Sequence, residues 1–131
     1  MPEITSEEID NYIDRVRKAV HRGQYRIHLN SNRPDNRALF EEYLLDEAGA
    51  GRILMDLEPQ DFCQKLRNEH IGYEHEELYV FSKEVVLLPR FGDGEQSVRL
   101  YIKLNLIPDR FLVVISFHEQ RHPMKKYAFD R

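Results

Sequence analysis

The alternation of apolar and polar residues between Val98 and Ile107 is the feature that most constrains the fold of this chain. Val98, Leu100, Ile102, Leu104 and Leu106 alternate with Arg99, Tyr101, Lys103 and Asn105. Because successive side chains of a β-strand point to opposite faces, this pattern predicts a strand with one buried and one solvent-facing side. The buried side requires a covering layer of apolar residues from elsewhere in the chain.

Two further strands are predicted on either side of this segment. Residues 78–88 are rich in β-branched and aromatic residues, and Phe111–Phe117 is apolar throughout. A turn with two glycines at residues 91–95 and a tight turn at Pro108–Asp109 separate the three strands. We therefore expect an antiparallel meander, with the strand over 111–117 in a central position.

The first half of the chain predicts the helices that cover this sheet. Thr5 is suited to cap a helix that ends near Gly23, and its apolar face recurs at spacings of three and four: Ile9, Tyr12, Ile13, Val16 and Val20. A second helix is predicted over Asn36–Glu47, a further helical stretch over 53–57 and a helical turn over 61–67. Residues 24–29 fit either a short strand or an extended linker.

The predicted fold class is α+β, with N-terminal helices packed on a small antiparallel sheet. A length of 131 residues fits a single domain, residues 1–131, with a helical part at about 5–67 and a sheet part at about 78–118. One cysteine, Cys63, excludes an internal disulfide and a multi-thiolate zinc site. No apolar run approaches the ~20 residues that span a bilayer, and no signal-peptide pattern is present. We expect a cytoplasmic protein without a membrane partner.

Charge is divided unevenly along the chain, although the net value is only -4. Residues 1–82 carry 10 basic and 17 acidic side chains, whereas residues 83–131 carry 9 basic and 6 acidic side chains. The C-terminal part is therefore the better candidate for contact with a phosphate backbone. The competing interpretation is an ordinary uneven surface.

Two histidine-containing segments offer the ligand types of a metal site. His118–His122 has the spacing H-E-x-x-H, which binds zinc when a helix places both histidines on one face. Here the motif follows a β-branched run and precedes Pro123, a context that disfavours a helix and makes a zinc hydrolase the weakest hypothesis. The second segment, over residues 70–77, is more typical of a solvated acidic loop. We expect neither a metal nor a cofactor.

Four side chains suited to acid–base and phosphate chemistry fall on or at the ends of the three predicted strands: Lys83, Tyr101, Lys103 and His118. Tyr101 and Lys103 are two residues apart, so they point to the same face. If Lys83 and His118 share that face, the sheet suits RNA cleavage without a metal. An imidazole would then exchange protons with the reacting oxygens, and the lysines would stabilise phosphorane charge. The alternative is that these side chains only decorate an exposed sheet.

Three segments, in their order and spacing, resemble the MqsR-type toxins of bacterial toxin–antitoxin systems, which have a RelE-like ribonuclease fold. They are Val80–Glu84, Leu100–Leu104 and Ile115–Glu119, within a resemblance over about residues 50–125. The resemblance implies an endoribonuclease that cleaves messenger RNA without a metal, leaving 2′,3′-cyclic phosphate and 5′-hydroxyl ends. It also implies a cognate antitoxin that neutralises the toxin, and it leaves the ribosome open as a further partner.

The resemblance also implies roles for individual residues. Tyr101 matches a sheet tyrosine of the family, Lys83 matches a lysine of one branch, and His118 stands where other members carry a catalytic lysine. His118 would then be general acid or base, Lys83 and Lys103 would stabilise phosphate charge, and Tyr101 would orient or stack on RNA. The candidate contacts to the RNA backbone are Arg99, Arg121, Lys125 and Lys126. The competing hypothesis is a non-catalytic RNA- or protein-binding module on the same fold.

Overall fold

The computed structural model describes residues 3–108 and 111–129, which form three α-helices, a 3-10 turn and five strands. In chain order these are α1 (Ser6–His21), β1 (Tyr25–Ile27), α2 (Pro34–Glu42), α3 (Glu47–Met55), the 3-10 turn (Pro59–Asp61), β2 (Phe62–Arg67), β3 (Glu77–Leu87), β4 (Gln96–Ile107) and β5 (Phe111–Glu119). The predicted α+β class is confirmed. The tight turn expected at Pro108–Asp109 extends outside the described residues. No helix in the described part of the chain has the length and apolarity needed to cross a bilayer.

The strands form one mixed sheet in the order β1-β5-β4-β3-β2. The predicted antiparallel meander of β3, β4 and β5 is confirmed, and β5 lies inside the sheet between β1 and β4, while β4 is the middle strand of the five. Two edge strands lie inside the part expected to be helical. Residues 61–67, predicted as a helical turn, contain β2, and the ambiguous residues 24–29 contain β1, which runs parallel to β5. Pairing with an existing strand outweighs weak local propensity at both edges.

The helices differ from the sequence prediction mainly in where the second one divides. The expected helix over Asn36–Glu47 ends at Glu42, and α3 begins after Asp46, whose side chain accepts a hydrogen bond from the Gly49 amide at 2.8 Å. Gly51 therefore lies within α3. A Cβ added there would come within 2.6 Å of the Tyr25 hydroxyl, so only glycine allows α3 to approach β1 this closely.

The core lies between the helices and one face of the sheet. The helix α1 is capped by the Thr5 hydroxyl, which accepts from the Glu8 amide at 3.0 Å. Its apolar face packs on the alternate residues of β4 that the sequence pattern assigned to the buried side. The fully buried side chains of this layer include Ile9, Ile13, Val16, Leu100, Ile102 and Leu104.

A β-bulge in β5 sets which residues of that strand face the open side of the sheet. Leu104 pairs with Val114 and Lys103 pairs with Ser116, so Ile115 is an extra residue without a partner on β4. Beyond the bulge, Tyr101 is directly opposite His118. Without this one-residue shift, continuation of the first register would put Phe117 opposite Tyr101 and turn the next residue toward the core.

A buried asparagine from α2 holds the bulge in place. The Asn36 side-chain amide donates to the carbonyl oxygens of His28 and Ile115 at 2.8 and 2.9 Å. Its carbonyl oxygen accepts from the Phe117 amide at 2.9 Å. Asn36 therefore satisfies the carbonyl of the extra residue and the amide two residues after it, as well as one carbonyl on the segment after β1.

We expect Asn36→Ala to lower the free energy of unfolding by about 2–4 kcal/mol, because three buried backbone groups lose their partners at once. The measurement is urea denaturation followed by circular dichroism. Asn32→Ala, at an exposed position in the preceding loop, is the control and should change stability by less than about 0.5 kcal/mol. Equal effects of the two substitutions would contradict the role assigned to Asn36.

Candidate functional site

Tyr101 and His118 stack on the open face of the sheet. They are cross-strand neighbours on β4 and β5, with ring centroids 5.2 Å apart and ring planes inclined by 10°. Lys103 is two residues along β4 and lies on the same face, opposite Ser116. The structure thus brings together three of the four residues that the sequence grouped, with the imidazole fixed against the phenol.

These three side chains line one cavity of about 430 Å³ together with residues from α2 and from the segment after β5. The remaining lining residues are Asp35, Ser116, Gln120, Arg121, His122 and Met124. The H-E-x-x-H spacing presents His122 only as a possible zinc ligand, yet it lies in the same cavity as His118. No sequence signal identifies Asp35, because no local pattern links the start of α2 to the end of β5.

The hydrogen bonding of His118 indicates which ring nitrogen is available for chemistry. Its Nδ1 lies 3.0 Å from the Glu119 carbonyl oxygen. Since a carbonyl oxygen can only accept, this contact requires a hydrogen on Nδ1. Nε2 is then the nitrogen that can take up or release a proton.

Tyr101 provides a neutral phenol at this site. Burial raises the pKa of the Tyr101 hydroxyl, and interaction with the neighbouring Cys63 thiol raises it further. The hydroxyl therefore remains protonated at neutral pH and can donate a hydrogen bond. Cys63 itself is buried, and burial raises the pKa of its thiol, which disfavours a nucleophilic role.

Lys103 is a half-buried cation beside another cation. Burial lowers the pKa of its ammonium group and Arg33 lowers it further, while Glu69 acts in the opposite direction. None of the ion pairs among the described residues includes Lys103. An ammonium group in this position is electrostatically suited to a bound anion.

Lys83 does not belong to this group, which corrects the grouping considered from the sequence. It pairs with Leu100 on β4, whereas the preceding residue, Ser82, pairs with Tyr101. Because neighbours along a strand face opposite sides, Lys83 points to the helical side of the sheet. There its Nζ donates to the Asp56 carbonyl oxygen at 3.1 Å and lies 3.4 Å from an Asp61 carboxylate oxygen.

The four candidate RNA-binding cations occupy different environments. Arg121 lies in the cavity, where it pairs with Asp35 at 3.2 Å, and Arg99 lies on the same sheet face, where it pairs with Glu84 at 3.3 Å. Lys125 is exposed. Lys126 donates to the Ser82 carbonyl oxygen and lies 3.8 Å from Asp61, so it anchors the C-terminal segment against the sheet.

The H-E-x-x-H spacing does not form a helical metal site. His118 and Glu119 lie in β5 and therefore face opposite sides of the sheet, and residues 120–122 are not helical. Across residues 3–108 and 111–129, no three His, Cys, Asp or Glu side chains converge in a way that could hold a metal ion.

Comparisons with known proteins leave the interpretation of this site to its own geometry. No protein-family model matches the chain, and searches of curated proteins and of solved structures find no match either. The function of this site is therefore inferred from the side chains that the fold brings together and from the sequence segments described above.

We expect Lys83→Met to lower the free energy of unfolding by about 1–2 kcal/mol, because the Asp61 carboxylate and the Asp56 carbonyl lose a common cationic donor. Lys83 and Asp61 are mostly buried, with side-chain exposures of 18% and 13%. Lys125→Met, at an exposed position, is the matched control for guanidinium denaturation. A stability of Lys83→Met equal to that of the control would contradict a structural role.

We expect Lys103→Met to have the opposite effect and to raise the free energy of unfolding at pH 7 by roughly 0.5 kcal/mol after allowance for solvent screening. The folded state holds this proton less tightly than the unfolded state, so the ammonium destabilises the fold below its lowered pKa. The difference should shrink as the pH rises through the alkaline range toward the ordinary lysine value. Urea denaturation at pH 7 and pH 10 tests both points, and a variant less stable than the wild type at pH 7 would contradict them.

Proposed function

We propose that this chain is an endoribonuclease that cleaves messenger RNA without a metal, on a fold of the RelE-like type. The single observation that supports this most directly is the Tyr101–His118 stack in a cavity that also contains Lys103. An imidazole, a phenol donor and an ammonium group are the functional groups that phosphodiester transfer requires when no metal is used.

The proposed reaction uses the 2′-hydroxyl of the RNA as nucleophile. Nε2 of His118 accepts the proton of this hydroxyl as its oxygen forms a bond to the adjacent phosphorus. The bond from phosphorus to the 5′-oxygen breaks, and His122 in its protonated form donates a proton to the departing oxygen. The products are a 2′,3′-cyclic phosphate and a 5′-hydroxyl, with atoms and charge balanced.

The other side chains of the cavity stabilise and position this reaction. The Lys103 ammonium offsets the negative charge that accumulates on the phosphorane oxygens, where its half-buried position strengthens the interaction. The Tyr101 ring fixes the plane of the imidazole, and its protonated hydroxyl donates to a phosphate or ribose oxygen. Arg121 pairs with Asp35 in the cavity, so RNA must compete with this carboxylate for the guanidinium.

The biological role that we propose is that of a toxin controlled by a cognate antitoxin. This part of the proposal rests on the resemblance of the segments 80–84, 100–104 and 115–119 to the MqsR-type toxins. Two of these segments contain the stacked rings. The third contains Lys83, which acts in this chain as a structural cation.

A second candidate function is a non-catalytic module that binds RNA or protein. The observation that favours it is the position of Lys83. This lysine faces the helical side of the sheet, so only Lys103 of the two proposed catalytic lysines lies on the open face with His118. A binding module would retain affinity for RNA but would produce no new ends.

We expect the purified protein to cleave single-stranded RNA in the presence of EDTA and to leave cyclic phosphate ends, detected by mass spectrometry. His118→Ala should reduce the rate by about 10²–10⁴-fold, because proton transfer from the nucleophile is lost. His75→Ala, at an exposed histidine in the loop before β3, is the matched control and should retain wild-type activity.

The same variants test the toxin role in cells. Expression of the wild type should slow growth, and His118→Ala should relieve the effect while His75→Ala should not. Binding of RNA without cleavage would favour the non-catalytic module. Cleavage that survives in His118→Ala would show that the stacked imidazole is not the acid–base group.

A further inference from the structure

A second cavity adjoins the candidate site and shares Lys103 with it. Its volume is about 610 Å³, within the ~300–1,000 Å³ typical of ligand pockets. Its lining includes the cations Arg33 and Lys103, the carboxylates Glu69 and Glu74, and apolar residues of β2, β3 and β5. A ligand that passes Lys103 therefore extends from the stacked rings directly into this second cavity.

Two cations, Arg33 and Lys103, lie close together in this cavity. Arg33 lies close enough to Lys103 to lower the pKa of its ammonium group, although Glu69 acts in the opposite direction. No ion pair among the described residues includes Arg33 or Lys103, and the other carboxylate, Glu74, accepts a hydrogen bond from the Gly72 amide at 2.8 Å. Two neighbouring cations without a salt-bridge partner in the described part of the chain form a site suited to an anionic ligand.

The N-terminus of α2 adds to the positive electrostatic potential of this cavity. Arg33 is the N-cap residue of α2, and its side chain forms no capping hydrogen bond. Pro34 follows as the first helical residue. The positive end of the helix dipole is therefore located at the boundary between the two cavities, next to Lys103.

The remaining surface of the cavity is apolar. Leu66 of β2, Leu78 of β3 and Ile115 of β5 line it, and Ile115 is there because it is the extra residue of the bulge. An aliphatic surface beside Arg33 and Lys103 offers contacts for both parts of a nucleotide, whose flat base is apolar on its faces and whose phosphate is anionic.

We propose that this second cavity binds the nucleotide next to the cleaved phosphodiester of a single-stranded RNA. Arg33 contacts its phosphate, and Leu66, Leu78 and Ile115 contact its base. The proposal extends the proposed function, because it specifies where the RNA continues once its scissile bond lies between His118 and Lys103.

The test is the affinity for an eight-nucleotide 2′-O-methyl RNA labelled with fluorescein, measured by fluorescence anisotropy at several salt concentrations. This probe lacks the attacking hydroxyl and cannot be cleaved by the proposed reaction. Arg33→Gln should raise the Kd about five- to tenfold. It should also reduce the slope of log K against log salt by about 0.7, the value for one lost phosphate contact on a single strand.

Arg52→Gln is the matched control, because Arg52 lies on α3 and lines a different cavity, between α3 and β3. It removes the same charge and should leave the Kd and the salt slope close to the wild-type values. Circular dichroism of each variant checks that the fold is retained. Equal effects of the two substitutions, or none, would overturn the second-cavity proposal.

The outcomes separate this proposal from the proposed function. If the wild type cleaves unmodified RNA but Arg33→Gln binds the probe as Arg52→Gln does, the second site is wrong and the nuclease stands. If the wild type cleaves nothing but Arg33→Gln weakens probe binding, the nucleotide site stands and the nuclease is wrong.

Discussion

The arrangement of the open sheet face depends on the side-chain amide of Asn36. It bonds to backbone groups of residues 28, 115 and 117 and so holds the extra residue of β5 in place. The resulting shift puts the imidazole of His118, instead of the phenyl ring of Phe117, beside Tyr101. Helix packing and the candidate site are therefore connected through one buried polar group.

The lysines of the sheet show how similar residues acquire different roles. Lys83 has a carboxylate and a carbonyl as partners and contributes to holding the sheet against α3 and the 3-10 turn. Lys103 lies near Arg33, and burial together with this neighbouring charge makes the protonated form of Lys103 less favourable in the folded than in the unfolded state. A lysine without a salt-bridge partner among the described residues can stabilise an anionic group of a ligand, so the proposed function depends on Lys103.

Much of the central sheet could be predicted because its signals are local. The alternation in β4 identified both faces correctly, and the turn residues at 91–95 identified the hairpin. The edge strands β1 and β2 could not be identified in the same way, because a short strand gains its stability from the strand that it pairs with. The position of Lys83 was also beyond the sequence, since its face depends on the register between β3 and β4.

The sequence by itself determined the α+β class, the two faces of β4 and the common orientation of Tyr101 and Lys103, because strand geometry alternates every residue. The tertiary structure decided that His118 joins them, that Lys83 does not, and that Arg33, Asp35 and His122 lie nearby. The physical reason is that a bulge and its buried hydrogen bonds depend on residues distant in the chain. Local periodicity reflects only the orientation of neighbouring side chains, so it cannot predict these contacts.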